Sequence, residues 1–236
     1  MESPALSPQA DDYCFHCGQC VSACPTGALS SSDIDIKDCK EIADDLKITA
    51  EQALQFVRSR RSIRNFTKEK IDQKTMYELI RNASYAPTGG NFQGVKWIVI
   101  DDQEKIKRIS DMIKGFLEEM VKLPGNEVLL PANSIGSSDD YVFWDAPAVV
   151  IAYCDNPIDY RIALTYLDLC AHGMGLGVCW AGYFNFALRA DHPGLKEAAG
   201  IPADCENYYP AMVGHPDERV KYYRMPPRKE PKIRFI

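Results

Sequence analysis

Four cysteines stand close together near the start of the chain, at Cys14, Cys17, Cys20 and Cys24, and Pro25 follows the last of them. The spacing C-x2-C-x2-C-x3-C-P lets one short loop aim each thiolate at a different iron of a cubane cluster. A zinc site would normally show two separated C-x2-C pairs, which are absent here. A disulfide framework fits poorly in a chain whose acidic, polar beginning shows no export signal. The four cysteines are therefore predicted to be metal ligands of a 4Fe-4S cluster.

This cysteine run resembles the signature of bacterial ferredoxins. In ferredoxins with two clusters, the cysteine before the proline binds the other cluster. No cysteine lies among residues 1–13, so a partner motif is missing. Three alternatives stay open: the four thiols hold one cluster, a more distant thiol such as Cys39 completes it, or an upstream half is absent. His16 is interpreted as a spacer, and the remaining cysteines as inert core thiols.

Basic side chains are concentrated in two stretches of an otherwise acidic chain. Residues 58–70 hold six basic side chains and one acid, and residues 219–236 hold seven and one, which leaves 14 basic and 31 acidic residues elsewhere. Within the first stretch Arg60, Ser62 and Arg64 alternate, so an extended backbone would point them to one side. Two guanidinium groups and a hydroxyl on one side could hold a phosphate. Two solvated surface segments are the alternative interpretation.

Further motifs favour a phosphate-binding site over two solvated surface segments. The R-x-S-x-R-x-F of residues 60–66 is followed by A-P-T-G-G-N-F-Q at 86–93, V-C-W-A-G-Y-F at 178–184 and Pro227-Arg228-Lys229. This ordered set resembles the FMN-dependent nitroreductase family over about residues 50–236. The N-terminal piece is similar to the ferredoxin modules fused to one branch of that family.

The resemblance implies a cofactor site. Arg60, Ser62 and Arg64 would hold the FMN phosphate and ribityl chain, together with the second basic stretch. The loop at 88–91 would reach the flavin from the other subunit of a homodimer, and the backbone N–H groups at 181–182 would face flavin N5. The implied cofactor-binding residues are Arg60, Arg61, Ser62, Arg64, Thr88, Gly89, Asn91, Cys179, Trp180, Ala181, Gly182, Arg228 and Lys229.

Two positions depart from the family pattern. Many members carry a glutamate where this chain has Ala181, and the familiar N-x-Q-P becomes Asn91-Phe92-Gln93-Gly94. Both changes would lie near the flavin, so they bear on the choice of reductant and substrate.

The activity implied by the resemblance is that of an FMN oxidoreductase. It would reduce a nitroaromatic, quinone or enone by ping-pong transfer from flavin N5, which is itself the reactive centre, so no catalytic side chain is assigned. Electrons would come from a ferredoxin through the iron–sulfur cluster, or from NAD(P)H. The alternative is a non-catalytic electron-transfer protein that carries both cofactors between protein partners.

The elements that must position these residues follow from capping residues and apolar spacing. Thr49 with Gln52 predicts a helix to about Arg60, and Asp72 caps a second helix that stops before Pro87. Further helices are predicted around residues 106–120, 160–172 and 191–200. Buried strands are predicted at 95–100 and 147–154, and further strands at 178–183 and 208–213. Residues 124–141 are predicted to form a lid.

These elements predict an α+β fold with a nitroreductase-like central mixed sheet flanked by helices, a small N-terminal ferredoxin-like iron–sulfur segment and a C-terminal arm. The expected domains are 1–45, the cluster segment with its linker, and 46–236, the FMN-binding domain. Such an arm often packs on a neighbouring subunit.

Composition narrows the class of protein. The chain has 236 residues, 46% of them hydrophobic, with a net charge of −6 and a pI near 5.3. The apolar content excludes disorder as the general state, and the acidic balance argues against nucleic-acid binding. The longest apolar run, about nine residues, is too short to span a bilayer. We expect a cytoplasmic protein that binds neither nucleic acid nor membrane.

Overall fold

The computed structural model describes residues 9–31, 33–124 and 140–236. The predicted lid therefore lies, except for its ends, outside the described residues. None of the described helices is both long enough and apolar enough to cross a bilayer.

Two of the helices in the described part of the chain begin at their predicted caps. The α-helices are α1 (Ala10–Tyr13), α2 (Gln19–Ser22), α3 (Ala50–Ser59), α4 (Gln73–Ala83), α5 (Gln103–Val121), α6 (Asp159–Gly173), α7 (Gly182–Arg189) and α8 (Leu195–Ala199). Thr49 and Gln52 form a complete capping box at α3, and the Asp72 carboxylate accepts the N–H of Thr75 at α4. Short 3-10 turns span Ile36–Asp38, Asp44–Leu46 and Gly89–Asn91.

One four-stranded sheet forms the centre of the fold. Its strands are β1 (Lys96–Ile100), β2 (Ala148–Tyr153), β3 (Gly177–Trp180) and β4 (Tyr208–Gly214), in the order β1-β2-β4-β3. The three ladders are antiparallel, and a parallel bridge between Ser62 and Val178 extends the sheet beyond β3. The predicted α+β fold with a central sheet flanked by helices is confirmed, but the sheet expected to be mixed pairs its described strands antiparallel, with parallel pairing only at the Ser62–Val178 bridge.

Helices cover both faces of this sheet. Because successive side chains of a strand point to opposite faces, Val149 and Ile151 of β2 pack on one side, with α5, α7 and α8. Ala148, Val150 and Ala152 pack on the other side, with α4 and α6. The buried helix α6 thus runs behind β3 and β4, where it can support the site.

Three predicted elements differ from the structure. β1 is an edge strand with only Ile100 buried, so the prediction of a buried strand there was wrong. The strand predicted to reach Tyr183 ends at Trp180, and α7 begins two residues later. The short helix expected from Asp191 begins at Leu195, because Asp191 and Gly194 adopt left-handed backbone conformations.

Candidate functional site

The segment at 60–66 lies along the free edge of β3. The N–H of Ile63 donates to the carbonyl of Val178 at 3.0 Å, beside the parallel bridge of Ser62 with Val178. A second bridge joins Phe66 to Pro216. Backbone pairing at both ends therefore gives the segment the extended form that the alternating Arg60, Ser62 and Arg64 require.

A close approach at Gly177 fixes which side of this segment faces the sheet. A Cβ on Gly177 would lie 2.7 Å from Cγ1 of Ile63, so only a glycine leaves room for the isoleucine. Ile63 therefore packs against Gly177, the first residue of β3. Arg64 is within hydrogen-bonding reach of the Cys179 thiol.

Arg60 is held from behind by α6. Its Nη1 lies 3.3 Å from Oδ2 of Asp168, a residue that sequence reasoning missed. The Trp180 side chain is a second neighbour of this carboxyl group and acts against the rise that burial causes in its pKa. One turn along α6, Nε2 of His172 lies 2.9 Å from the Ser59 hydroxyl. The end of α3 and the start of the basic segment are thus anchored on one side of α6.

The start of α7 offers backbone donors next to this segment. The N–H of Ala181 donates to the carbonyl of Pro210 at 2.9 Å, so this group is already paired. Gly182 is exposed and begins the helix, where the first N–H groups have no acceptor within the helix. Two backbone N–H groups were predicted to face flavin N5. Of these, the N–H of Gly182 is the one that has no acceptor within the helix and could donate to the flavin.

Cys179 and Trp180 lie at the end of β3. Cys179 is buried, and this burial raises the pKa of its thiol, which suits a packing residue more than a nucleophile. Trp180 is half-buried, with its ring 5.0 Å from that of Tyr209. The predicted residues around 179–182 therefore form one corner with Arg60 and Arg64.

The loop at 88–93 lies elsewhere. The N–H of Gly89 lies 3.2 Å from a carboxylate oxygen of Asp159, the first residue of α6. Asp159 and Asp168 are nine residues apart in that helix, which corresponds to about 13 Å along its axis. Thr88, Gly89 and Asn91 are thus not gathered with Arg60 in a single chain.

The second basic stretch also stays apart from the first over most of its length. Arg228 and Lys229 are exposed in a C-terminal segment without regular structure. The two basic stretches approach each other at Arg61, whose guanidinium lies 5.8 Å from the ring centre of Tyr222. The structure therefore does not bring Arg228 and Lys229 to Arg60.

The cysteine loop presents its thiols towards solvent. Cys14, Cys17 and Cys20 are exposed and Cys24 is half-buried. The N–H of His16 donates to Sγ of Cys14 at 3.4 Å, an interaction of the kind that tunes cluster potentials. Among the described residues no three His, Cys, Asp or Glu side chains could hold a single metal ion. A cubane cluster does not need three protein ligands on one metal ion, because each of its irons binds its own thiolate.

Cys24 has an environment that favours a thiolate. The Thr26 hydroxyl lies 3.5 Å from its sulfur. This contact, together with hydrogen bonds from backbone N–H groups that include that of Leu29, lowers the pKa of Cys24 to about 7. Cys24 also lines a cleft of about 1110 Å³ with Cys17 and Cys39. Since all three thiols line one cleft, Cys39 remains a candidate ligand.

His16 is occupied by other contacts. Its Nδ1 lies 2.6 Å from a carboxylate oxygen of Asp33, and its carbonyl accepts a hydrogen bond from Nδ2 of Asn91 at 3.0 Å. These contacts agree with a spacer, and they fasten the cysteine loop to the loop at 88–93.

Comparison with known proteins assigns two segments of the chain to known families. Residues 57–215 match the model of the Nitroreductase family. The chain belongs to this family. Residues 11–30 match the 4Fe-4S binding domain, so the N-terminal segment carries the ferredoxin-type module of the predicted branch. The nitroreductase family assignment makes this chain an oxidoreductase enzyme.

Several relatives of this nitroreductase-family chain share less than a quarter of its residues. A protein assigned provisionally as an NADH dehydrogenase/NAD(P)H nitroreductase from Archaeoglobus fulgidus is 24% identical, over 77% of this chain and 95% of that protein. An FMN reductase (NAD(P)H) from Bacillus subtilis is also 24% identical, over 74% of this chain and 70% of that protein. The FMN-bound nitroreductase from Bacteroides fragilis shares the fold at 18% identity, with a TM-score of 0.64, over 78% of this chain and 98% of that one.

Asp168 is the site residue that sequence reasoning missed most clearly. It is an acid within the largely apolar stretch Leu167–Ala171 of a helix. A carboxylate in such a stretch is rarely fully buried without a partner. That signal could have marked Asp168, although only the fold could identify Arg60, 108 positions earlier, as its partner.

Proposed function

We propose that this chain is an FMN-dependent reductase of small organic acceptors in the nitroaromatic, quinone or enone class. The observation that carries the proposal is the corner in which Arg60 and Arg64 flank the end of β3 beside the open start of α7. The two guanidinium groups favour a phosphorylated ligand, and the N–H at the start of α7 offers a donor to the ring of that ligand. FMN, when bound, would accept and donate electrons or hydride, while the protein would bind and orient it.

Each residue of the corner has a separate task in this proposal. Arg64, which is exposed, and Arg60 would neutralise the phosphate, and the Ser62 hydroxyl would add a hydrogen bond. The Gly182 N–H would donate to the flavin edge, and Trp180 would pack beside it. No catalytic side chain is required, because the chain's part is to bind and orient.

An arginine substitution tests the proposal. We expect Arg64→Met to weaken FMN binding at least tenfold and riboflavin binding much less, because riboflavin lacks the phosphate. Arg108→Met, on the exposed side of α5, is the matched control and should bind both ligands normally. Fluorescence titration of the apo-protein measures both affinities. Wild-type protein that binds no flavin would remove the basis of the proposal.

The iron–sulfur loop is proposed to be the entry point for electrons. The hydrogen bond from Asn91 to the carbonyl of His16 joins the cysteine loop to the loop that would reach a flavin. A donor ferredoxin could then reduce the cluster one electron at a time, and the flavin would receive electrons from it. NAD(P)H as a direct reductant is the competing route.

A cluster-deficient variant separates these routes. We expect Cys17→Ser to abolish acceptor reduction driven by reduced ferredoxin, measured anaerobically, while the FMN content stays normal. Cys170→Ser changes a half-buried thiol outside the loop and serves as the control. Equal ferredoxin-driven rates in the two variants would argue against the cluster route.

A homodimer is proposed as the working unit. Thr88, Gly89 and Asn91 lie about 13 Å along α6 from the residues that hold Arg60, so one chain does not gather both sets. A second copy could place its own loop at the first copy's corner, and its C-terminal arm could bring Arg228 and Lys229.

A further inference from the structure

A buried carboxylate lies directly behind the proposed flavin site. Asp168 is 7% exposed and belongs to a small group of buried polar or charged residues in the described part of the chain. Burial of a charged carboxylate is costly unless it is paired and hydrogen-bonded. The presence of this carboxylate in the largely apolar helix α6 therefore indicates a specific role.

The contacts of Asp168 point in two directions. Its Oδ2 pairs with Nη1 of Arg60 at 3.3 Å, and the Trp180 side chain lies near enough to the same carboxyl group to act against the rise in its pKa. Arg60 and Trp180 belong to separate predicted parts of the site, the phosphate end and the ring end. One carboxylate thus contacts a residue from each part.

Further contacts attach the end of α3 to α6 beside this arrangement. His172 lies one turn from Asp168 on the same side of α6, and it contacts the Ser59 hydroxyl and the Phe56 ring at 5.1 Å. The last turn of α3 is thereby fixed against α6 immediately before Arg60. Burial raises the pKa of Asp168, while the positive charge of Arg60 acts against that rise.

We propose that Asp168 is a positioning residue of the flavin site, which orients the Arg60 guanidinium towards the phosphate and holds the Trp180 indole beside the ring. The carboxylate does not touch the ligand and acts through these two side chains. An arginine fixed on one side by a carboxylate keeps further N–H donors directed at a second anion. This inference rests on the proposed FMN site and adds a residue to it.

The test compares two ligands and two substitutions. Asp168→Asn retains the shape of the side chain and removes its charge. We expect it to lower the affinity of the apo-protein for FMN at least tenfold and for riboflavin less than threefold, because only FMN carries the phosphate that Arg60 meets. Asp168→Glu keeps the charge but displaces it, and should give a smaller loss with the same preference.

A double substitution distinguishes positioning from a general loss of structure. If Asp168 acts through Arg60, Arg60→Met and the Arg60→Met/Asp168→Asn double variant should lose FMN affinity to the same extent. Unchanged or tighter FMN binding by Asp168→Asn would overturn the inference, since Asp168 would then merely neutralise Arg60. Equal losses for FMN and riboflavin would also overturn it. Wild-type protein that binds neither ligand would instead refute the proposed function, and the inference with it.

Discussion

The hydrogen atom that serves as the side chain of Gly177 is essential to the packing of the proposed phosphate-binding segment. Alanine there would place Cβ 2.7 Å from Cγ1 and 2.8 Å from Cβ of Ile63, and a β-branched side chain cannot turn away from both contacts. We expect Gly177→Ala to cost about 1–3 kcal/mol of unfolding free energy and to weaken FMN binding, because Ile63 must move with Ser62 and Arg64. Urea unfolding and flavin titration measure the two effects.

Gly115 provides the control for this prediction. It lies inside α5, and a Cβ built on it meets no atom within 4 Å. Alanine at this position should leave FMN binding unchanged and stabilise the helix by about 0.5–1 kcal/mol. A Gly177→Ala variant as stable as Gly115→Ala would contradict the close approach.

His172 gives the stability of the protein a dependence on pH. Burial, assisted by the positive charge of Arg60, lowers the pKa of His172, although Asp168 acts in the opposite direction. An unfolded histidine has a pKa of about 6.5, so below that pH the unfolded chain binds a proton that the folded chain resists. This contribution to stability is therefore complete above pH ~6.5 and is lost as the pH falls towards the folded-state pKa.

Substitution of His172 tests the direction of this pH dependence. We expect His172→Gln apo-protein to be less stable than wild type at pH 7.5, because the contact with Ser59 changes, but to lose less of its stability between pH 7.5 and 5.5. Urea unfolding at the two pH values measures both quantities. An equal decrease in the two proteins would show that His172 does not cause it.

At the scale of elements, α3 supports the site from its far end. The Thr49 hydroxyl accepts the N–H of Gln52 at 3.2 Å, and Arg60 follows the last residue of the ten-residue helix. We expect Thr49→Ala to cost about 1 kcal/mol and to speed amide exchange across residues 50–60, with a modest loss of FMN affinity. Thr49→Ser retains the hydroxyl and should behave as wild type. Unchanged exchange in Thr49→Ala would mean that the cap contributes little here.

The sequence predicted the elements whose signals are local. Capping residues marked the starts of α3 and α4, and alternation marked the basic segment before any tertiary contact was known. α7 was missed because Tyr183, Phe184 and Phe186 have high strand propensity, and only the pairing of Ala181 with Pro210 shows where the strand ends.

The rest of the site depends on contacts between distant parts of the chain. The pairing of Arg60 with Asp168 joins two elements that become neighbours only through the packing of α3 against α6. The contact of Asn91 with His16 likewise spans 75 residues. The family resemblance pointed to Arg60 and Asn91, but spacing alone could not reveal what holds them.

At the scale of the whole molecule, apolar side chains on α3 remain uncovered in the single chain. Leu54 and Val57 are 51% and 58% exposed, and no residue of this amphipathic helix is buried. Ile42, Leu46 and Ile48 before the helix, and Phe235 and Ile236 at the end of the chain, are also exposed. Exposed apolar surface of this kind marks interaction sites, and a second copy is the occupant that the proposed dimer requires.

Charged substitutions on α3 test that arrangement. We expect Leu54→Glu/Val57→Glu to convert a dimer into a monomer, because two carboxylates would be buried without partners on association. FMN binding should weaken in parallel, since the loop at 88–91 would no longer reach the corner of a second copy. Gln55→Glu adds a charge to an exposed position of the same helix and should leave both properties unchanged.

Light scattering after size-exclusion chromatography, combined with flavin titration, measures the two properties together. A dimer that survives Leu54→Glu/Val57→Glu would place the interface elsewhere. A monomeric variant that binds FMN as tightly as wild type would separate assembly from the flavin site. In that case, one chain would hold the cofactor through Arg60, Arg64 and the start of α7 alone, and Thr88, Gly89 and Asn91 would serve to anchor the iron–sulfur loop.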